Sequence, residues 1–400
     1  MSHILRSAKE GVSADGLPTP TDPSLVRAVW NGTRRFRPVL VLLAGLVVVL
    51  SLLEPSFFGL VNLQDVATSV SVLWIVALGA TFVQLSGGID LSSGAVAALA
   101  GICLAKLVST GLPGAVVIVT VIAFGAIVGA LVNGIPVGIF RLNVFVVTLA
   151  SMTAITGVVS LWSGTQSTYV TSSAVAWLAI NKVLGMPMPI WIMAVAFVLF
   201  LYIQRRTYFG RDIYAVGGSI TAARLSGIRT SRTLVVVWAV EGAMAALAGI
   251  IAVGRIGAAA PQPDNTLPLN AIAAILLGGS ALAGGVGGVG GTVLGVLFIG
   301  VLQNGLSLSG IPTYWQQIVT GIILVAAVLG DRMQNSRFSS RFRPTSRSGR
   351  PDPASVSRPD GSSAAEPETG DPAHARASRR GGPARPARPY LAVPWTRPQR

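Results

Sequence analysis

Apolar residues run along this chain in long stretches separated by polar or Gly/Pro breaks. Ten such runs stand out: 36–53, 66–86, 89–108, 114–133, 143–162, 190–204, 233–254, 268–284, 286–306 and 315–330. A bilayer core of about 30 Å needs about 20 apolar residues per helix. The pattern therefore predicts an all-α fold, a polytopic transmembrane helical bundle of about ten spans. The run 268–284 enters a glycine-rich stretch and reads as a broken or re-entrant segment. The polar interval 205–232 is too basic for lipid but holds a short helical signal. There Ser219 is a fitting N-cap, Thr221 to Leu225 would form the turns, and Gly227 is a fitting left-handed stop.

Composition narrows the class. Of 400 residues, 52% are hydrophobic and 11% charged, where a soluble domain carries about a quarter. An ordinary cytosolic enzyme, a disordered chain and a coiled coil are excluded. From Phe36 to Gly330 there are 6 acids and 11 bases. The single cysteine, Cys103, excludes a disulfide framework or a thiolate cluster. His3 and His374 lie outside the apolar runs, so no histidine-held metal or haem is expected among them.

Charge then divides and orients the chain. The net charge is +15, and the residues after Gly330 hold 14 Arg against 6 acids. The expected organisation is a cytoplasmic N-terminal segment 1–35, a membrane domain 36–331, and a basic, disordered tail 332–400. The tail is rich in Pro, Ser, Ala and Gly and offers too little apolar surface to offset chain entropy. Contact with anionic lipid headgroups is a second reading of its arginines. No nucleic-acid module accompanies them, so no nucleic-acid partner is expected. Arg27, Arg34, Arg35 and Arg37 lie before or at the very start of the first span, placing the N-terminus in the cytoplasm. The twin arginines before Phe36 resemble an export signal, but no small-residue cleavage site follows Leu53. An even span count returns the C-terminus to the same side, as do Arg205, Arg206, Arg211, Arg224, Arg229 and Arg232 for the 205–232 loop. The opposite loops hold only Lys106, Lys182 and Arg255.

Glycine carries most of the remaining signal. The run from Gly285 to Gly290 fits G-x-G-x-x-G, but no βαβ pattern surrounds it and no acid follows at the required distance, so a dinucleotide site is rejected. Gly287, Gly291 and Gly295, and likewise Gly125 and Gly129, are spaced to give small faces for close helix packing. G-G-x-x-L-x-x-G occurs at Gly87, Gly88, Leu91 and Gly94, and again at Gly278, Gly279, Leu282 and Gly285. G-x-L-x-N-G occurs at 129–134 and 300–305, the second copy including Asn304. Paired glycine breaks suggest an internal repeat, although the two intervals differ by about one span.

Two acids fall in or beside spans. Asp90 follows the glycine break and reads either as a helix N-cap or as a functional group. Glu241 lies near the middle of 233–254 and reads as an internally bonded side chain or a coupling group. Trp162, Trp191 and Trp315 sit at span ends as interfacial anchors. Trp74 and Trp238 lie deeper, as packing or as a stacking surface for a sugar. None of the three lysines follows a phosphate-binding glycine loop, so no ATP site and no catalytic residue is expected in this chain.

Several motifs occur in order: Gly87-Gly88-Ile89-Asp90-Leu91-Ser92; Asn143 to Leu149 with Thr148; Thr207 to Gly218 with Gly210, Arg211, Tyr214 and Gly217; Ala222-Ala223-Arg224-Leu225-Ser226-Gly227; Ala271 to Ser280; Asn304-Gly305; and Tyr314 to Val319. Together they resemble the ribose/xylose/galactose-type permease of bacterial ABC sugar importers, over about residues 60–331. The chain departs from that pattern at Ser219, at Pro268-Leu269-Asn270 and at Val286. The resemblance implies a multi-pass inner-membrane subunit that works as a homo- or heterodimer. Its implied partners are an ABC ATPase subunit, which binds the ATP, and an extracytoplasmic sugar-binding protein. It makes 205–232 a coupling loop, with Gly210, Arg211, Tyr214, Gly217, Gly218, Ser219, Ala222, Ala223, Arg224 and Gly227 contacting the ATPase. Gly87, Gly88, Asp90, Thr148, Glu241, Gly278, Gly279 and Asn304 are candidates for the translocation path or its packing. Two alternatives stay beside this reading: an ion-coupled secondary transporter using Asp90 and Glu241, and an ABC permease for a non-sugar solute such as a branched-chain amino acid or nucleoside.

Overall fold

A computed structural model describes residues 37–341, with side chains from 38 to 329. The segment 1–35 and most of the tail 332–400 lie outside the described residues.

Each of the ten apolar runs becomes a helix. In chain order these are α1 (Arg37–Leu53), α2 (Leu60–Leu85), α3 (Ser93–Val108), α4 (Gly114–Gly138), α5 (Val144–Ser163), then, after the short α6 (Ser173–Ile180), α7 (Met188–Arg206). The polar loop forms α8 (Tyr208–Gly218) and α9 (Ile220–Leu225). There follow α10 (Thr230–Ile256), α11 (Thr266–Leu277), α12 (Val289–Leu308) and α13 (Thr313–Arg341). Six of these, α2, α4, α5, α7, α10 and α12, are long and apolar enough to cross a membrane. The apolar parts of α1, α3, α11 and α13 are shorter.

Two of the short helices flank the glycine breaks. The run expected from 89 starts helically only at Ser93, and the run expected to 284 stops at Leu277. The cause is backbone geometry: Gly87 has φ +86° and Gly279 φ +83°, the left-handed values that end a helix. In both breaks a backbone N–H beyond that glycine reaches back to the helix, Gly88 to Val83 O (2.9 Å) and Ser280 to Ile275 O (3.2 Å). The two breaks thus correspond with Gly87 matched to Gly279, one residue out of step with the sequence repeat.

Helix α10 occupies the centre, packed by α2, α3 and α4. It meets α4 through glycine: a Cβ on Gly125 would overlap Gly242 O, and one on Gly129 would overlap Trp238 O. Without a hydrophobic drive between helices in lipid, such close backbone contact supplies the packing. Gly291 packs likewise on Gly278, just past α11, and Gly295 on Ala274 within it. Gly287 does not join them, because it precedes the helix with φ +140°. Helix α4 contains a π-helical turn at Gly129–Gly134.

The far end of α10 from Thr230 carries small elements that hydrophobic pattern alone does not announce. Strand β1 (Thr168–Tyr169) pairs antiparallel with β4 (Ala258–Ala259), and β2 (Lys182–Val183) with β3 (Met186–Pro187). At this end Lys182 Nζ donates to Gln64 Oε1 (2.8 Å) and Arg255 to Ser69 Oγ (3.2 Å). The loops around 64, 182 and 255 therefore share one end, and 207–229 the other.

Candidate functional site

The residues 207–229 form a folded unit rather than a loop around one helix. Thr207 Oγ1 accepts from Gly210 N (3.1 Å) to start α8. A Cβ on Gly210 would overlap the carbonyls of Ile203 and Gln204, so the sharp turn out of α7 needs glycine there. Arg211 lies over the Tyr208 ring at 4.3 Å. The expected short helix is present as α9: Ser219 Oγ accepts from Ala222 N (3.2 Å), and Gly227 has φ +83°.

Helix α8 ends on both glycine breaks. A Cβ on Gly217 would overlap Leu85 O and crowd Gly285 N. Gly285 N itself donates to Leu85 O (2.9 Å), satisfying a carbonyl that the end of α2 leaves open. A Cβ on Gly284 would crowd Gly87, and one on Gly285 would crowd Gly218. Around this crossing Gln84 Nε2 donates to Ala281 O (3.0 Å) and Leu282 O (3.1 Å). Tyr214 Oη donates to Gly287 O (2.8 Å) and accepts from Gln204 Nε2 (2.6 Å). Gln204 Oε1 in turn accepts from Val289 N (2.9 Å). Gly87 and Gly217, expected separately as a path and a coupling residue, therefore form one contact together with Gly285, which the sequence singled out only through the repeated glycine pattern. Gln84 and Gln204 were not among the expected site residues, and nothing in their local sequence distinguishes them.

The unit has an inward and an outward face. Ala223, expected to face the ATPase, is 3% exposed and packs with Val216 and Leu234 of this chain. One turn of α9 can bury only one side here, so Ala222, Arg224 and Leu225 remain exposed, Leu225 at 84%. Ala223 is thus an anchor, and Leu225, absent from the expected set, stands at the outer surface.

The second cluster lies inside the bundle. Asp90 is not an N-cap: α3 begins at Ser93, and Asp90 Oδ1 instead accepts from Ser92 N (2.7 Å) and Ser92 Oγ (2.6 Å). Ser92 Oγ also accepts from Asn133 Nδ2 (2.8 Å), and Asn133 Oδ1 accepts from Ser151 Oγ (2.6 Å). All four residues are buried. The π-helical turn holds Asn133, so this bonded chain joins the glycine break to α4 and α5. Glu241, 1% exposed, faces Asp90. Neither Glu241 oxygen meets an N–H or O–H donor among the described residues. Gly79 makes room for it, since a Cβ there would overlap Glu241 Oε2. Asn133 was readable in sequence as the partner of Asn304 in the repeated G-x-L-x-N-G.

The remaining candidates stand apart. Thr148 is buried in α5 and donates to Phe145 O (3.3 Å). Asn304 exchanges hydrogen bonds with Asn62 (2.9 and 3.3 Å), away from the acids. Trp238 is buried against Gly88 and Gly134, and Trp74 meets Phe197 edge-on, so both are packing residues.

Sequence similarity gives the chain its family. The chain is 40% identical over 296 residues to the ribose import permease protein of Escherichia coli strain K12, covering 73% of this chain and 92% of that one. It is 32% identical over 343 residues to the L-arabinose ABC transporter permease protein of Azospirillum brasilense, covering 84% and 98%. To the xylose transport system permease protein of Haemophilus influenzae it is 33% identical over 347 residues, covering 71% and 92%. No solved structure matches. A family model described as "Branched-chain amino acid transport system / permease component" matches residues 62–328. With the apolar helices, the paired glycine breaks and this match spanning most of its length, the chain belongs to that family of membrane permease components.

Proposed function

We propose that this chain is the membrane-spanning subunit of an ATP-binding cassette importer for a monosaccharide. The solute is delivered by an extracytoplasmic binding protein, and a separate ATPase drives transport. The ribose, arabinose and xylose permeases among its relatives support the sugar class. The single observation that carries the mechanism is the contact of Gly217 with Leu85 and Gly285. Because α8 touches both breaks, a push on α9 is delivered to α2 and to the 278–288 loop together. ATPase closure would use this contact to rock the bundle between outward and inward states.

In this reading all ten apolar helices lie in the membrane, α3 and α11 completed by their glycine breaks. Both termini and the 207–229 unit face the cytoplasm, following the arginines. Two copies of the permease assemble, and the 332–400 tail is dispensable.

The test is ATPase recruitment. Leu225→Asp and Ala222→Asp alter exposed positions and should leave membrane insertion intact. Each should abolish co-purification of the ATPase and solute uptake, because an unpaired charge in a protein groove costs several kcal/mol. Undiminished co-purification and uptake in both variants would sink the coupling assignment.

A further inference from the structure

The end of the bundle opposite α8 and α9 holds a cleft of about 340 Å³ between α11, α12 and α13. That size falls within the range of small-molecule sites, roughly 300–1,000 Å³. Its walls carry Thr266 and Asn270 from α11, Gln303 from α12, and Gln316, Gln317 and Thr320 from α13. Helix α13 is two-sided about it. Gln316, Gln317, Thr320 and Leu324 line the cleft, whereas Trp315, Ile318, Ile322, Val325 and Leu329 are exposed elsewhere on the helix. Leu324 lies 11 residues beyond Thr313, so the cleft follows α13 inward for about 16 Å. Thr320, only 6% exposed, gives the wall a hydroxyl two turns in. Amides gathered on one side of the apolar stretch Thr313–Leu329 are costly against lipid, which marks that side as a polar surface with a use.

The chemistry of the wall selects among solutes. No Lys or Arg lines the cleft. Its one acid, Asp264, is already engaged: Oδ1 accepts from Thr266 N (2.8 Å) and Thr266 Oγ1 (2.6 Å). Gln316 Nε2 is likewise held, by Ser307 Oγ (3.0 Å) and Ile311 O (3.3 Å). The amides of Asn270, Gln303 and Gln317 remain as the groups that can read a ligand, each offering N–H donors and a carbonyl acceptor. Neutral donor–acceptor groups suit hydroxyls. A zwitterion would also require a cation for its carboxylate.

We propose that this cleft is a recognition subsite for a neutral polyhydroxylated solute, read by Asn270, Gln303 and Gln317, and that it disfavours zwitterionic amino acids. The proposal rests on the importer reading above. Its affinity is expected to be low, since a conducting site must also release.

The experiment uses the full chain with its ATPase and binding protein in proteoliposomes. Uptake of D-ribose, L-arabinose, D-xylose and L-leucine is measured for wild type and for Asn270→Leu, Gln303→Leu and Gln317→Leu. Uptake of the transported sugar should fall about tenfold in each, the loss expected for one hydrogen bond with its partner left unmade. ATPase co-purification should stay at the wild-type level. Gln317→Ala, which removes the amide without added bulk, is read where a leucine variant inserts poorly. Wild-type protein that takes up leucine and no sugar would overturn the sugar reading and the subsite together. Sugar uptake by wild type that is unchanged in all the variants would overturn the subsite alone. So would Gln317→Cys, in a Cys103→Ser background, forming a disulfide between two copies in nearly all molecules, because the cleft would then be a permease–permease contact.

Discussion

Gly217 and Leu85 touch backbone to backbone: a Cβ on the glycine would overlap the leucine carbonyl oxygen. Its neighbour Gly218 has open space at the same position. Gly217→Ala should therefore force α8 away from the glycine breaks, at about 1–3 kcal/mol, while Gly218→Ala should be neutral. Sugar uptake and the thermal stability of the purified permease would show the difference. Equal behaviour of the two variants would remove the contact from the mechanism.

Ala223 and Leu225 are two residues apart and do different things. Ala223 is sealed against Val216 and Leu234, so Ala223→Glu should unseat α9 and lower the Tm of the permease on its own. Leu225→Asp should leave Tm unchanged and act only on ATPase recruitment. A drop in Tm for both would mean that α9 has no separate outer face.

Asp90 and Glu241 face each other inside the bundle, and neither Glu241 oxygen meets a donor among the described residues. A glutamine at 241 keeps the size of the side chain and offers an N–H donor toward the Asp90 carboxyl. Glu241→Gln is expected to keep uptake within a few fold. Asp90→Ala, which removes the acceptor of the Ser92 bonds, should be more damaging. Uptake lost in Glu241→Gln but kept in Asp90→Ala would reverse these roles.

Close approach of α4 to α10 depends on having no side chain at Gly129. Gly129→Leu should reduce the folded yield sharply, since overpacking cannot be relieved against a backbone. Gly157 of α5 has nothing within 4 Å, and Gly157→Leu should insert normally. Yields in detergent extracts compare the two directly.

Reporter fusions check the sidedness. A fusion after Gly330 and an insertion after Gly218 should report the cytoplasm, and an insertion after Gly185 the opposite side. The structure places 185 and 218 at opposite ends of the bundle through the Gln64–Gly185 bond (3.1 Å) and the Gly217–Leu85 contact, at the two ends of α2.

The positions of the ten apolar helices were legible in the chain because each leaves a long apolar run, although only six of the helices are long enough to cross a bilayer. The α9 cap and stop were legible for a local reason: Ser219 and Gly227 act on backbone groups within a few residues. Gly125 and Gly129 announced a packing face by spacing alone. The resemblance to sugar permeases likewise rested on short ordered motifs.

Tertiary structure decided what those pieces meet. Asp90 and Glu241 are 151 positions apart in the chain, and only the fold brings their carboxyls together. The inward turn of Ala223 follows from its seat on Val216 and Leu234, which a six-residue helix does not encode by itself. The one-residue offset between the breaks appears only in φ, because Gly-Gly permits the left-handed turn at either glycine. Gly217 enters the sequence reading only as one glycine of an ordered motif, with nothing local to say what it touches. Its importance arises because the carbonyl of Leu85 and the N–H of Gly285 need each other, and only a glycine lets α8 close over that bond.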